Sequence, residues 1–313
     1  MYAHRGGAAL RPENTIVSFD HGLSLGADGL EFDVHLSRDG VVVVHHDATL
    51  DRTTGSRGRL AALTADELAR VDAGYWFMGG DVAGLKASTT NGKAGLKAST
   101  TDGKAGLKAG TTDGKAGLKA GTTDGKAGLK AGTTEEQYPF RGQGLGIPRL
   151  SELLARYPAT PLIIELKVNE PELARRVIDD VRAAGAVDRV AFGSFGWRVL
   201  HTARDLEPRI PTGASREEVR WALYRSWVHW PLGAPRYREL QVPEQSGVTR
   251  IVTPRFIQHA HRAGVPVKVW TVNEEADMHR LLDWGVDALI SDRPDLAVAL
   301  VKEAGDGTGP PRA

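Results

Sequence analysis

The sequence predicts an α/β fold, a (β/α)8 TIM barrel with a low-complexity repeat insertion. Three observations predict it. Short apolar runs alternate with helix-period patterns along the whole chain. Eight such runs occur, the number a closed parallel barrel needs. Gly-Ala or Gly-Val pairs at Gly26, Gly185, Gly264 and Gly285 punctuate helix ends ahead of the next strand.

Taken in order, strand-like runs fall at residues 1–4, 29–35, 161–166, 189–194, 209–213, 239–242, 267–271 and 288–291. Helical patterns fill the intervals at about 14–25, 151–157, 171–184, 196–206, 215–228, 254–263, 274–284 and 294–304. Leu153, Leu154 and Tyr157 recur at helical spacing, as do Val177, Val181 and Ala184. Residues 41–45 form an extra strand, joined to the second run by Arg38-Asp39-Gly40; Asp-Gly between apolar runs is a hairpin turn signal.

Composition sets the outer limits. The 313 residues suffice for one large α/β domain or two small ones. With 41% hydrophobic and 25% charged residues the chain reads as an ordinary globular protein. There is no cysteine, so disulfides and thiolate zinc sites are excluded. No basic and apolar leader precedes the first strand signal, and no apolar run reaches the roughly 18 residues of a membrane span. A cytoplasmic protein is the expectation, without a nucleic-acid partner; composition leaves the oligomeric state open.

The net charge of +1 hides an uneven distribution. Residues 84–134 hold nine lysines and three aspartates, which leaves the remainder mildly acidic. From Leu85 the segment is an 11-residue tandem repeat, LKASTTNGKAG and its near copies. Burying the one Leu of a unit stabilises by roughly 1.5–3 kcal/mol. Ordering eleven residues costs on the order of 10 kcal/mol or more. The expectation is therefore a disordered basic insert, with a small β-solenoid as the other reading. Its Asp-Gly-Lys-Ala is not a phosphate-binding loop, because Ala stands where Ser or Thr is needed. The chain then divides into 1–83, the first part of the barrel with the His and carboxylate motifs; 84–134, the insert; 135–304, the rest of the barrel; and 305–313, a tail.

The chemistry concentrates near the N-terminus. Glu31 and Asp33 lie two apart on a strand and point to one side. Glu165 ends a later strand, and strand ends of a barrel converge on one mouth. Three carboxylates there offer an all-oxygen site suited to Mg²⁺ or Ca²⁺. His4 ends the first strand and His46 ends the hairpin strand, and the two suit an acid/base pair, while His45 alternates away and reads as structural. Arg5 and Lys167 suit anionic phosphoryl oxygens or, equally, salt bridges to those carboxylates. His201, His229, His259, His261 and His279 read as isolated surface or core histidines. The set suits metal-assisted attack on a phosphate diester.

The motifs also resemble a known family. His4-Arg5-Gly6 with Pro12-Glu13-Asn14-Thr15 resembles the opening of the glycerophosphodiester phosphodiesterases, a metal-dependent family with a phospholipase C-like barrel. Glu31-Phe32-Asp33-Val34, His46-Asp47, Leu50-Asp51-Arg52-Thr53-Thr54, Ile147-Pro148-Arg149-Leu150, Glu165-Leu166-Lys167, Val269-Trp270-Thr271-Val272-Asn273 and Ser291-Asp292-Arg293-Pro294 continue the likeness. The resemblance implies hydrolysis of a glycerophosphodiester to sn-glycerol 3-phosphate and an alcohol. It implies Glu31, Asp33 and Glu165 as ligands of the divalent metal, His4 and His46 as acid and base, and Arg5 and Lys167 on the phosphate. It implies Trp270 as a pocket-lining aromatic, with barrel packing as the equal reading. Asp47 orients His46 or caps the turn after it.

Two features depart from this pattern. The Lys-rich repeat stands where the family has a short connection; it offers weak contact with anionic surfaces or is a tolerated expansion. The aromatic stretch Trp221, Tyr224, Trp227, Trp230 reads as helix-to-barrel packing, with a lid over the substrate's alcohol as the other reading. A phosphodiesterase on lysophospholipids or phosphoinositide-like substrates and a non-catalytic phosphate binder remain the rival functions.

Overall fold

The computed structural model describes residues 1–78 and 137–305. The tandem repeat and the tail after 305 lie outside the described residues. Seven parallel strands run side by side in the order β5 (Val190–Gly193), β4 (Leu162–Leu166), β2 (Gly29–Leu36), β1 (Tyr2–His4), β10 (Ala288–Ser291), β9 (Val267–Trp270), β6 (Leu240–Pro243). β3 (Val42–Val44) folds back antiparallel on the end of β2, with Val34 opposite Val44. Gly40 makes the turn between them at φ 74°. A short hairpin, β7 (Gln245–Ser246) and β8 (Thr249–Arg250), stands apart.

The fifth predicted strand is the one correction to the sheet. Residues 209–213 make no extended strand; they bridge the gap through Thr212 to Phe192 and Gly213 to Glu239. Pro211 has no N–H to give to a ladder, but its carbonyl accepts from Phe192 at 2.9 Å. Gly213 N donates to Phe192 O at 2.7 Å and Arg238 N to Thr212 O at 3.0 Å. The barrel therefore closes through this segment.

Between and after the strands lie helices α1 (Ile16–Ser24), α2 (Ala65–Leu68), α3 (Leu150–Arg156), α4 (Pro171–Ala183), α5 (Trp197–Leu206), α6 (Arg216–Trp227), α7 (Pro254–His261), α8 (Glu275–Asp283) and α9 (Pro294–Gly305), with 3-10 turns at Leu60–Ala62 and Val187–Arg189. Sequence explains their starts. Thr15, Thr64, Ser215 and Thr253 accept the first free N–H groups, and Pro171 and Pro254 open α4 and α7. The anticipated stops at Gly26, Gly185, Gly264 and Gly285 all have positive φ.

The main core lies between strands and helices. Leu30, Phe32 and Val34 of β2 join Ile164, Phe192, Val269 and the inner helix faces there. The alternate residues point into the barrel, where Ile163, Ala191 and Ile290 form an apolar girdle flanked by Tyr2 and Trp270. Nearer the strand N-termini than the mouth, Glu239, just before β6, meets Lys268 of β9 at 2.8 Å and accepts from Gln241, whose amide reaches up beside Gly193. The mouth lies at the strand C-termini.

The segments that flank the undescribed residues meet on the mouth side. Arg141 is sandwiched between Tyr75 and Tyr138, with its guanidinium 4.0 and 3.9 Å from the ring centroids. Arg11 from the β1–α1 loop lies over Phe140. Among the described residues, no helix is long and apolar enough to cross a membrane.

Candidate active site

β1 delivers His4 to the mouth, and the chain then turns sharply. Arg5 sits at φ 50° and Gly6 at φ 85°. A Cβ on Gly6 would come within 2.4 Å of Ser18 Oγ and 2.5 Å of its carbonyl carbon, so only glycine fits. Asn14 is a second non-glycine in the left-handed region, at φ 57°. Arg5 and Asn14 both reach Asp33: Asn14 Nδ2 donates to Asp33 Oδ2 at 2.9 Å, and Arg5 Nε lies 3.1 Å from it. Two strained backbones serving one carboxylate mark a site whose geometry outweighs local comfort.

Strand alternation places Glu31 and Asp33 inside the barrel, and the register sets Asp33 opposite Glu165. Oxygens of Glu31, Asp33 and Glu165 lie within 4.8 Å of one another. Lys167 Nζ lies 3.1 Å from Glu165 and 3.3 Å from Asp33. Arg5 donates to Glu13 at 2.9 Å. The cationic pair thus sits among the carboxylates, as the salt-bridge reading held, and also at the mouth.

Protonation follows from this crowding. Burial and the charges of Asp33 and Glu165 push the Glu31 carboxyl up to about 8, against the pull of His4. Burial raises Glu165 likewise, opposed by Lys167. Asp33 is driven the other way; burial acts against ionisation but Arg5 and Lys167 prevail and hold it below the usual carboxylate range. Burial depresses the His4 imidazole, yet Asp292 and Glu31 more than offset this and raise it above 6.5.

Each histidine carries its own carboxylate. His4 Nδ1 meets Asp292 Oδ1 at 2.6 Å, and His46 Nδ1 meets Asp47 Oδ1 at 2.5 Å. Burial acts to raise Asp292, but His4 and Asn273 hold it below its ordinary value, so it accepts and Nδ1 of His4 carries the proton. That leaves His4 Nε2 facing Glu31 at 3.7 Å. Asn273 clamps Asp292 from both ends: its Nδ2 donates to Oδ2 at 2.8 Å and its Oδ1 accepts from the Asp292 N–H at 2.9 Å. Asp47 is held by Arg52 at 2.6 Å, and Arg52 makes two 2.7 Å bonds to Glu13.

The sequence reading gave no role to Asp292, Asn273, Glu13 or Arg52, although all lie in the quoted motifs. It also passed over His35, which follows Asp33 at the strand period and whose Nε2 lies 3.0 Å from the His46 carbonyl. His45 is buried and its Nε2 lies 3.2 Å from Thr49 O, away from the carboxylates. Trp270 packs on the girdle and against Phe195, with centroids 5.7 Å apart. It is thus a packing residue that also borders the mouth.

The donor set fits a hard cation. It is all oxygen and largely buried, and Glu31 Oε2 and Asn14 Oδ1 are buried without a hydrogen-bond partner. Two carboxyls pushed toward neutrality also indicate a place where positive charge is missing.

Fold and site together define a (β/α)8-barrel hydrolase with its acidic, histidine-bearing centre at the strand C-termini. The chain belongs to the glycerophosphoryl diester phosphodiesterase family, whose model matches residues 4–296. It is 25% identical over 310 residues to a glycerophosphodiester phosphodiesterase of Caldanaerobacter subterraneus, covering 97% of this chain and 98% of that one. It is 24% identical to a lysophospholipase D of Mus musculus, covering 93% of this chain and 82% of the other. Among solved structures, an Oleispira antarctica phosphodiesterase in complex with the product sn-glycerol-3-phosphate has the same fold. It superposes with a TM-score of 0.63 at 21% identity, covering 96% of each chain.

Proposed function

We propose that this enzyme hydrolyses glycerophosphodiesters to sn-glycerol 3-phosphate and an alcohol, and that His4 and His46 exchange the protons. The observation that carries the reading is the pair of carboxylate-bound imidazoles flanking a buried carboxylate triad. Binding alone needs no such pair, which disfavours a non-catalytic role.

Glu31, Asp33 and Glu165 would hold Mg²⁺ or Ca²⁺, which when bound supplies charge to polarise the phosphoryl oxygens. Arg5 and Lys167 add fixed positive charge for the phosphoryl oxygens, already oriented by Asp33, Glu13 and Glu165. With Nδ1 engaged, Nε2 is the exchanging atom on each histidine. One Nε2 accepts the proton of the attacking hydroxyl, and the other gives a proton to the leaving alkoxide. Asp292 and Asp47 fix the tautomers and stabilise the imidazolium that forms. Trp270 borders the substrate pocket.

A bulkier lysophospholipid is the second reading. It is favoured by the mouse relative and by Phe195 and Trp197, which are exposed where the chain leaves β5 at the mouth.

The test is release of choline with Mg²⁺, Ca²⁺ or chelator, from glycerophosphocholine, where glycerol 3-phosphate is the co-product, and from lysophosphatidylcholine, where the co-product is acyl-glycerol 3-phosphate. Metal-dependent release, lost in Glu31→Ala and His46→Ala, is the expected outcome. Release only from the lysolipid selects the second reading. Release from neither by folded, metal-loaded protein refutes both.

A further inference from the structure

The two histidines at the mouth are supported differently. Asp292, the carboxylate of His4, follows directly on β10, and Asn273 clamps it at both ends. Asp47, the carboxylate of His46, stands on a bend at residues 46–48, past the end of β3 and outside any ladder. The His46 carbonyl lies 3.0 Å from His35 Nε2, but the Asp47 main chain has no hydrogen-bond partner among the described residues. The Asp47 side chain meets His46 through one oxygen and Arg52 Nε, at 2.6 Å, through the other. Asp47 and His46 are chain neighbours and would turn together; Arg52 is what ties their side chains to the rest of the site.

We infer that Arg52 is a positioning residue: through Glu13 it sets the proton-carrying His46 at a fixed place relative to the phosphate-binding Arg5. The inference rests on the reading that His46 exchanges a proton. The guanidinium spends all three nitrogens on this link. Nε holds Asp47, while Nη1 and Nη2 hold the two oxygens of Glu13 at 2.7 Å each. Glu13 Oε1 also accepts from Arg5 Nη1 at 2.9 Å, and Arg5 Nε lies 3.1 Å from Asp33. The result is an unbroken chain of alternating groups, His46, Asp47, Arg52, Glu13, Arg5 and Asp33, running from one proton carrier to the carboxylate triad.

The two ends of this chain differ in firmness. Glu13 belongs to the β1–α1 loop, where the next residue, Asn14, is tied by its N–H to the Arg5 carbonyl at 3.1 Å and by its side chain to Asp33. Arg52 therefore fastens a bend that nothing else fixes to a loop that is already fixed. Both carboxylates stay ionised to serve it. Burial acts to raise Glu13, but Arg52 and Arg5 hold it below its ordinary value. Burial acts to raise Asp47 too, and His46 and Arg52 hold it down. Arg52 itself is 48% exposed, against 15% for Glu13 and 26% for Asp47. An ion pair with one half-exposed partner adds little to stability, whereas a planar fork bonded on two sides fixes direction. Lysine carries one nitrogen and cannot span both carboxylates, so charge alone does not replace arginine here.

The experiment is steady-state kinetics of the metal-loaded full chain on glycerophosphocholine, with thermal unfolding on the same preparations. Arg52→Ala and Arg52→Lys should each lower kcat roughly 10–100-fold with KM within about twofold, since misplacing a proton carrier costs rate rather than binding. Their melting temperatures should stay close to that of the wild type. Arg57→Gln, an exposed arginine six residues from Asp51 on the same loop, should leave the rate unchanged. Glu13→Gln should lower kcat and raise KM, because it also loosens Arg5. Combined with Arg52→Ala it should lose less than the product of the two single losses, as parts of one unit do. Millimolar guanidinium should restore part of the Arg52→Ala rate, because the vacated position is open to solvent. A wild-type rate in Arg52→Ala or in Arg52→Lys, with His46→Ala inactive, overturns the inference and leaves the proposed function standing. So does a rate loss that merely follows a fall in melting temperature, or single losses that multiply in full. A wild-type rate in His46→Ala instead overturns the proton assignment, and the role of Arg52 falls with it.

Discussion

The barrel interior holds two charged layers, and their difference separates structure from chemistry. Nearer the strand N-termini, Glu239, Lys268 and Gln241 satisfy one another, and Lys268 also lies 5.0 Å from the Tyr2 ring centroid. Toward the strand C-termini three carboxylates converge, and three buried oxygens, Glu31 Oε2, Asp33 Oδ1 and Asn14 Oδ1, lack hydrogen-bond partners. The same residue types line both ends. A closed network at low dielectric rigidifies; an incomplete one is poised for a ligand. Burial of charge alone therefore does not locate the site, whereas incomplete pairing does.

The sharpest way to break this comparison is to remove the proton carriers at the mouth. His46→Ala and His4→Ala should each lower kcat roughly 10²–10⁴-fold; the more exposed His46 is lost with the melting temperature nearly unchanged, whereas loss of His4 also strips Asp292 of its partner and lowers it. Steady-state kinetics and thermal unfolding on the same preparations check it. Equal activity in either variant would strip the upper layer of its role.

In the lower layer the signs should reverse. Lys268→Met leaves Glu239 buried and uncompensated and should destabilise by about 3–5 kcal/mol, with activity per folded molecule retained. Adding Glu239→Gln should recover much of that loss in a urea titration. A fall in kcat without loss of stability would contradict the assignment of this layer to structure.

A smaller effect distinguishes the layers by pH. Glu31 ionises near 4.5 when unfolded but near 8 when folded. The folded metal-free chain then binds more protons than the unfolded one between these values, so this contribution to stability falls as pH rises. His4, raised above 6.5, acts in the same direction. Buried His35 and His45 act oppositely, because burial depresses them, as do His21 and His259, but an unfolded imidazole keeps only about a tenth of its proton by about pH 7.5, so their opposition fades above that. Metal-free protein should therefore melt at a lower temperature at about pH 8.5 than at about pH 7.5, and Mg²⁺ or Ca²⁺ should narrow the gap. A melting temperature that rises over that interval would place the proton elsewhere.

Much of this was legible in the chain. Period-2 alternation alone put Glu31 and Asp33 on one face, and the Gly-Ala and Gly-Val pairs located helix ends. The positions that escaped did so for physical reasons. Residues 209–213 have strand composition, but Pro211 interrupts the donor ladder. The second helix is a single turn, and β7 and β8 are too short to show a period. Asp292 reaches His4 across 288 residues, a distance over which local patterns say nothing. His35 did carry a signal, its strand period with Asp33, but not the loop carbonyl it would meet. In α6 the aromatics Trp221 and Tyr224 stand on the face away from buried Ala222, Leu223 and Ser226, so aromatic content misled about which face the barrel takes.

The central claim is that the upper layer is completed by a cation and the lower layer is complete already. Titration calorimetry of Mg²⁺ or Ca²⁺ into chelator-treated full-length protein, below pH 8, tests it most directly. The account predicts one binding event that releases protons, is lost in Glu31→Gln and persists in Glu239→Gln. Binding that survives Glu31→Gln, or full glycerol 3-phosphate release by a wild type that binds neither ion, would contradict it.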